Sequence, residues 1–321
     1  MSSQPRVADV FAGVGGCSLA ASLAGCRPVW ACEWDRDAAD VYEHNHGHRP
    51  AGDIWHVDPD DVPDHDILLA GVPCQGFSFS GDHLAWDDPR EWVLHPLLRL
   101  LAARRPAAVV VENVRGLLES SGGANIRFLM GCLRALGYRV RHGLLNATSF
   151  GGSQFRERVF VVGSRRGRAF NCARLERKPP GKLADILDKD VPECEWLDPS
   201  RYVLLDTPTW TKNGMGFKGY LSGKRWRLGD GDPSKAKTHL QMSRIYSCDG
   251  VGPTLMTQSG RYWVSIGRRV RRVTTAECVR LMGYPDSFRW PHPARQRHQL
   301  GNSVHVPTVE AVIRGVVEQL L

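Results

Sequence analysis

The feature that most constrains this chain is a change of period that recurs through its first 165 residues. Short apolar runs at residues 6–11, 28–32, 66–71, 107–111 and 159–163 alternate with stretches of helical spacing. Apolar runs this short suit strands buried on both faces, and parallel strands need crossover helices to bring the chain back. The expected fold class is therefore α/β, a doubly wound, Rossmann-like sheet covered by helices. From about residue 167 to residue 261 the pattern dissolves into Gly, Pro, Trp, Lys and Arg without sustained period. A smaller, irregular domain is expected there. Helical spacing returns at residues 274–282 and 306–320. The expected division is thus 1–167, 168–261, and a return segment 262–321 that completes the first domain.

The first strand runs straight into DVFAGVGG, residues 9–16. Glycine at such a strand-to-helix turn permits sharp backbone and close approach of a ligand. Glu33 follows the second strand, and Asp53 follows an expected third, so both acids belong at the carboxyl edge of the sheet, where open α/β folds bind ligands. The pattern F-A-G-x-G-G lacks both the dinucleotide spacing G-x-G-x-x-G and the lysine of a phosphate loop. A nucleoside without phosphates fits better, adenosylmethionine being the common example. Taken alone, the region also reads as a structural turn beside two solvated acids.

The apolar run at residues 66–71 delivers GVPCQGFS, residues 71–78, to the same edge. Pro73 fixes its own backbone angle and restricts its predecessor, and Gly76 permits a sharp loop. Cys74 is therefore a candidate nucleophile. The nine cysteines include no CxxC pair, which argues against a disulfide framework and against a zinc site. One strand further, AVVVENV places Glu112 and Asn113 at equivalent depth, where burial should raise the carboxyl pKa and suit it to general acid work. In QFRERVF, residues 154–160, Arg156 and Arg158 alternate and so share a face, offering forked donors for a carbonyl or phosphate.

The formal net charge is +8, with basic residues crowded at Arg268, Arg269, Arg271 and Arg272, and at Lys218, Lys224, Arg225 and Arg227. Such an excess suits a polyanionic partner. No apolar run approaches the roughly 20 residues that span a bilayer, and the amino terminus lacks the apolar core of a secretory signal. An intracellular protein with no membrane association is expected.

Together, DVFAGVGG, Glu33-Trp34-Asp35, Gly52-Asp53-Ile54, GVPCQGFS, ENV and QFRERVF resemble the DNA cytosine-5 methyltransferases of bacterial type in order and spacing. RRVTTAECVRLMGYPDSF (271–288) and QLGNSVHVPTVEAV (299–312) resemble that family's last two motifs. The resemblance implies S-adenosyl-L-methionine as methyl donor, S-adenosyl-L-homocysteine as product, and double-stranded DNA as substrate. It implies Cys74 as nucleophile towards cytosine C6, Glu112 at N3 and the exocyclic amine, Arg158 at the base carbonyl, and Arg156 ordering the cysteine loop. Phe11 would stack on adenine, Glu33 would hold the ribose, Trp34 would line the site, and Asp53 would take the adenine amino group. Ala12, Gly13, Gly15, Gly16, Ile54 and Pro73 would shape the same pocket, closed by Asn302, Ser303 and Val304. Base flipping is implied, with Gln75, Ser78, Ser80 and Arg90 of the loop after Cys74 meeting DNA. Glu91-Trp92-Val93 departs from the family's glycine-containing turn there. Sequence recognition would fall to the irregular stretch, with Lys224, Arg225 and Arg227 as contacts. A monomer with a cognate restriction endonuclease as candidate partner is expected. Two rival readings are a tRNA cytosine-5 methyltransferase, whose Cys-Phe-Thr tripeptide this chain lacks, and an inactive DNA-binding homologue, which would have lost the cysteine, the acid or the glycines.

Overall fold

The computed structural model describes residues 4–73, 94–222, 243–257 and 262–321. Its strands are β1 (Arg6–Val10), β2 (Arg27–Cys32), β3 (Ile67–Gly71), β4 (Ala108–Val114), β5 (Arg139–Asn146), β6 (Glu157–Ser164), β7 (Tyr202–Trp210), β8 (Gly216–Leu221), β9 (Arg244–Ser247), β10 (Trp263–Ile266) and β11 (Arg269–Arg272). Its helices are α1 (Gly16–Leu23), α2 (Arg36–His46), α3 (Leu94–Arg104), α4 (Gly116–Glu119), α5 (Ala124–Ala135), α6 (Thr275–Leu281), α7 (Pro293–Asn302) and α8 (Val306–Leu320).

β1 to β6 form one sheet in the order β2-β1-β3-β4-β6-β5. The first four strands are parallel, and β6 runs antiparallel to both β4 and β5. Alternate strand residues face opposite sides, and each side carries its own apolar layer. Val7, Ile67, Leu69, Val110 and Phe160 pack with α1 and α8. Leu68, Ala70, Val109, Val111 and Val161 pack with α3 and α5. The sheet is doubly wound, as the buried apolar runs require. α8 docks through Val309, Val312, Ile313, Val316 and Leu320, all buried at helical spacing.

Because β2 and β3 flank β1 on opposite sides, the chain reverses its winding there, and a crevice opens at the carboxyl ends of β1 and β3. The strand expected before Asp53 is replaced by a single parallel bridge between Ala51 and Cys32. The segment is still pinned, since Glu33 N–H donates to Ala51 O at 2.8 Å and the Cys32 thiol to Gly52 O at 2.9 Å.

A five-stranded sheet, β11-β10-β9-β8-β7, occupies much of the stretch expected to be irregular and continues past residue 261 to Arg272. β7 is an edge strand with a half-exposed face and an internal Pro208, which an edge tolerates because no ladder N–H is needed there. The basic cluster on β11 also differs from expectation. Arg271 is fully buried and forms a forked pair with Glu277 at 2.7 and 2.9 Å. Glu277 in turn completes a capping box with Thr274 at the start of α6. Arg271 is thus a core ion pair, unavailable to a phosphate, because the inward face of β11 places it against α6. Arg269 and Arg272 lie over the rings of Trp196 and Trp263.

Candidate active site

At the end of β1 the backbone turns through left-handed conformations at Phe11 (φ 58°), Gly13 (φ 56°) and Gly15 (φ 90°). Positive φ at a bulky residue such as Phe11 is strained and persists only where surrounding structure enforces it. Glu33 supplies part of that enforcement. Its Oε2 accepts the Gly13 N–H and its Oε1 the Asp35 N–H, each at 2.8 Å. Burial raises the Glu33 pKa, and the backbone donors of Asp35 and Gly13 oppose that rise. A Cβ on Gly13 would meet nothing within 4 Å among the described residues, which leave space over the turn. Trp34 is exposed beside it, Ile54 is buried, and the exposed Asp53 carboxylate accepts the Trp55 N–H at 3.1 Å. Phe11 packs against the apolar layer on the α3 side of the sheet.

The opposite wall comes from the carboxyl end of the chain. A Cβ on Gly16 would run into Tyr284 Oη and approach Val304 Cγ2 to 2.9 Å and Ser303 Oγ to 3.0 Å. Glycine there lets the return segment lie directly on the turn. Tyr284 and Ser303 are joined through their hydroxyls. Asn302 is exposed and pairs with His298 Nε2 at 3.1 Å.

Beneath the turn lies a polar network that sequence reasoning missed. Asp9 is fully buried on the α1 side of β1, and its Oδ2 accepts the Ser18 hydroxyl at 2.7 Å. Ser18 Oγ also meets Tyr42 Oη at 3.0 Å. Burial pushes the Asp9 pKa up to about 7. His46, held down to about 4 by burial, is neutral and donates from Nε2 to Gly15 O at 3.2 Å. Asp9 stood within a quoted motif, but a carboxylate between apolar strand residues gave no signal of its partner nine positions on.

The second wall of the crevice joins β3, β4 and β6. β3 pairs with β4 so that Gly71 lies beside Glu112, and the chain reaches Cys74 three residues later. Val72 is buried, Pro73 is exposed, and the Asn113 side chain donates to Val72 O at 2.9 Å. Asn113 thereby fixes the start of the cysteine loop. Glu112 lies opposite Phe160 in the β4–β6 ladder, so Arg158 shares its face on the diagonal, and Arg158 Nε reaches Glu112 Oε1 at 3.1 Å. Burial raises the Glu112 pKa, while Arg158 and then Arg156 pull it back.

Arg156 departs from the expected pair of free forks. It is buried, with Nη1 donating to Leu255 O at 3.0 Å and Nη2 to Gly301 O at 3.2 Å and to Ser303 O. Burial pushes its pKa down to about 9, which leaves it charged at neutral pH. Its guanidinium is spent on backbone carbonyls of two distant segments. Of the two, Arg158 alone forms an ion pair with the carboxylate at the end of β4. Cys74, Gln75, Ser78, Ser80, Arg90, Lys224, Arg225 and Arg227 lie outside the described residues.

A glycine turn and an acid–arginine pair beside an approaching cysteine loop share one sheet edge. The fold and this edge are those of an open α/β protein with its ligand crevice at the carboxyl ends of the strands. Comparison with known proteins narrows the class. The pattern of the C-5 cytosine-specific DNA methylase family matches residues 5–318. The type II methyltransferase M.NgoBI of Neisseria gonorrhoeae is 36% identical over 95% of this chain and 91% of its own length. M.HaeII of Haemophilus aegyptius is 34% identical over 98% of this chain and 93% of its own. Among solved structures, the S. pombe Dnmt2 methyltransferase shares the fold, with a TM-score of 0.71 at 21% identity over 98% of this chain and 99% of its own. The chain belongs to the C-5 cytosine-specific DNA methylase family and is a DNA cytosine-5 methyltransferase.

Proposed function

We propose that the chain methylates C5 of a flipped-out cytosine within one short duplex DNA sequence, through a transient bond between Cys74 and C6. The observation that carries this reading is the Glu112–Arg158 pair at the β4 edge, one strand from the β3 end that leads into Cys74. Cytosine C5 is a weak nucleophile until a thiolate adds to C6 and leaves electron density at C5. Glu112, its pKa raised by burial, is suited to hold a proton against ring N3. Arg158 is suited to hold the base carbonyl with the part of its fork that Glu112 leaves free.

The glycine turn fits S-adenosylmethionine. Glu33, anchored by Gly13 and Asp35, is assigned to the ribose hydroxyls; Phe11, Trp34, Asp53, Ile54, Pro73 and Asn302 are assigned to the pocket, and Ser303 and Val304, which lie on Gly16, to its closing wall. When bound, S-adenosylmethionine supplies an electrophilic methyl group. Asn113, through Val72 O, anchors the backbone two residues before Cys74.

A base inside a duplex is out of reach of this crevice, so flipping is required. Gln75, Ser78, Ser80 and Arg90 belong to the loop we assign to that step. Recognition is assigned to residues 168–272, which carry the five-stranded sheet and Lys224, Arg225 and Arg227. The protein acts inside the cell as a monomer on double-stranded DNA, in a restriction–modification setting with a cognate endonuclease. Among the described residues no helix is long and apolar enough to cross a membrane.

Bisulfite sequencing of DNA from cells that express the chain should reveal one protected cytosine context, and Cys74→Ser should abolish the protection while gel-shift binding to DNA persists. A serine variant that still methylates would remove Cys74 from the chemistry.

A further inference from the structure

Gln154 opens the QFRERVF motif, and the functional reading above leaves it without a role. It is fully buried, and both ends of its amide are used. Nε2 donates to Leu281 O at 2.8 Å, at the end of α6, and Oε1 accepts the Leu255 N–H at 3.2 Å. Leu255 O accepts from Arg156 Nη1. Two side chains from alternate positions of one segment therefore hold both backbone groups of a single residue.

The surrounding bonds extend this grip. Gly252 N–H donates to Ser153 O at 2.7 Å, Phe155 N–H to Gly252 O at 2.8 Å, and the Thr254 hydroxyl to Phe155 O at 2.6 Å. Gly252 thus pairs with Gln154 in a single parallel bridge, and Thr254 and Leu255 continue the contact along residues 153–156. Upstream, this segment follows β9 of the second sheet. Downstream, the Met256–Thr257 backbone lies against Gly301, where a Cβ would come within 2.6 Å of Thr257 N. The contact of residues 252–255 with residues 153–156 ties the second sheet to the segment that leads into Arg158, four residues after Gln154.

We propose that Gln154 is a positioning residue that couples sequence recognition to the catalytic step. It sets the register of residues 252–255 on residues 153–156, so that a correctly engaged recognition sheet is what keeps Arg158 in its place beside Glu112 during methyl transfer. Discrimination against near-matching DNA is then exerted in the rate of methyl transfer and not only in binding. This rests on the reading of the chain as a sequence-specific methyltransferase.

The test uses the full-length protein, S-adenosylmethionine, a duplex carrying the sequence found by bisulfite sequencing, and a duplex with one base pair of it changed. Gln154→Met keeps the side chain's length and removes the amide's hydrogen bonds to Leu281 O, Met282 Sδ and the Leu255 N–H. Expected are unchanged dissociation constants for cofactor and DNA, a single-turnover rate on the recognised duplex lowered on the order of 10²-fold, and a smaller ratio of rates between the two duplexes. Gln154→Glu keeps the acceptor for Leu255 N–H but regains the donor to Leu281 O only when protonated, so its rate should recover as pH falls where the native enzyme's does not. It decides the matter if the Met variant fails to fold. A folded Met variant with native rate and ratio overturns the proposal. So does a rate loss no greater than the loss of folded protein, or a Glu variant whose pH profile parallels the native one. A native protein that methylates neither duplex would instead overturn the functional reading itself.

Discussion

The carboxylate of Asp9 has been placed where its charge is least welcome. An acid whose pKa rises from 3.8 to about 7 on folding is favoured in its protonated form by the native state. The sign follows from linkage: the folded protein binds the proton more tightly, so this residue costs nothing below about pH 4 and costs progressively more as pH rises to about 7. Asp9→Asn, an isostere of the protonated acid, keeps an acceptor for the Ser18 hydroxyl. Its Tm should exceed that of the native protein by about 2–4 °C or more at pH 8, and the difference should vanish near pH 4–5. Melting curves at the two pH values check this, and a variant less stable than native at pH 8 would contradict it. The buried guanidiniums of Arg156 and Arg271 are partnered at both Nη atoms, by backbone carbonyls in the first and chiefly by Glu277 in the second, while the Nε of each finds no partner among the described residues.

The elements that make the crevice depend on close approach more than on apolar area. α1 begins at Gly16, and the return segment between α6 and α8 lies on that glycine through Tyr284, Ser303 and Val304. Gly16→Ala would force one of the two layers to move, an overpacking cost of typically ~1–3 kcal/mol. We expect calorimetric titration with S-adenosylmethionine to give roughly tenfold weaker binding for this variant, with a lowered Tm. Gly131→Ala is the contrasting case. Gly131 sits exposed within α5, where a Cβ meets nothing within 4 Å. It should stabilise by about 0.5–1 kcal/mol through helix propensity alone, with cofactor affinity unchanged. Equal effects from both variants would mean that the contact with Tyr284 and Val304 is unimportant. The legible strands include β1, β3, β4 and β6, buried on both faces and written as largely apolar runs, and the edge strand β2, whose residues 28–32 are apolar as well. β5 and β7 were not legible, because each is an edge strand whose wet face mixes Arg, His, Asp or Pro into its sequence. β8 hides for another reason, since Gly219 must lie within reach of the Val203 carbonyl and offers no side chain to reveal a period.

For the whole molecule, a net charge of +8 makes association with DNA largely a release of counterions. The dissociation constant for a duplex should rise linearly with salt on logarithmic axes, by on the order of 10³-fold between about 50 and 200 mM. Cofactor binding measured in the same buffers should change little. A flat DNA curve would show that phosphates contribute little to binding. The order of the chemical groups along the chain, and their arrival at one edge of a parallel sheet, were legible without coordinates. Strand period and turn residues are local properties, and parallel winding brings successive strand ends to the same side. The partners of Arg156 and Arg271 were not legible. Arg156 finds its partners 99 to 147 residues away, and Arg271 is taken out of the basic surface by the helix packed on it. Alternation says only that two side chains share a face. Which of them meets a carbonyl, a carboxylate or open solvent depends on segments that become neighbours only when the chain closes.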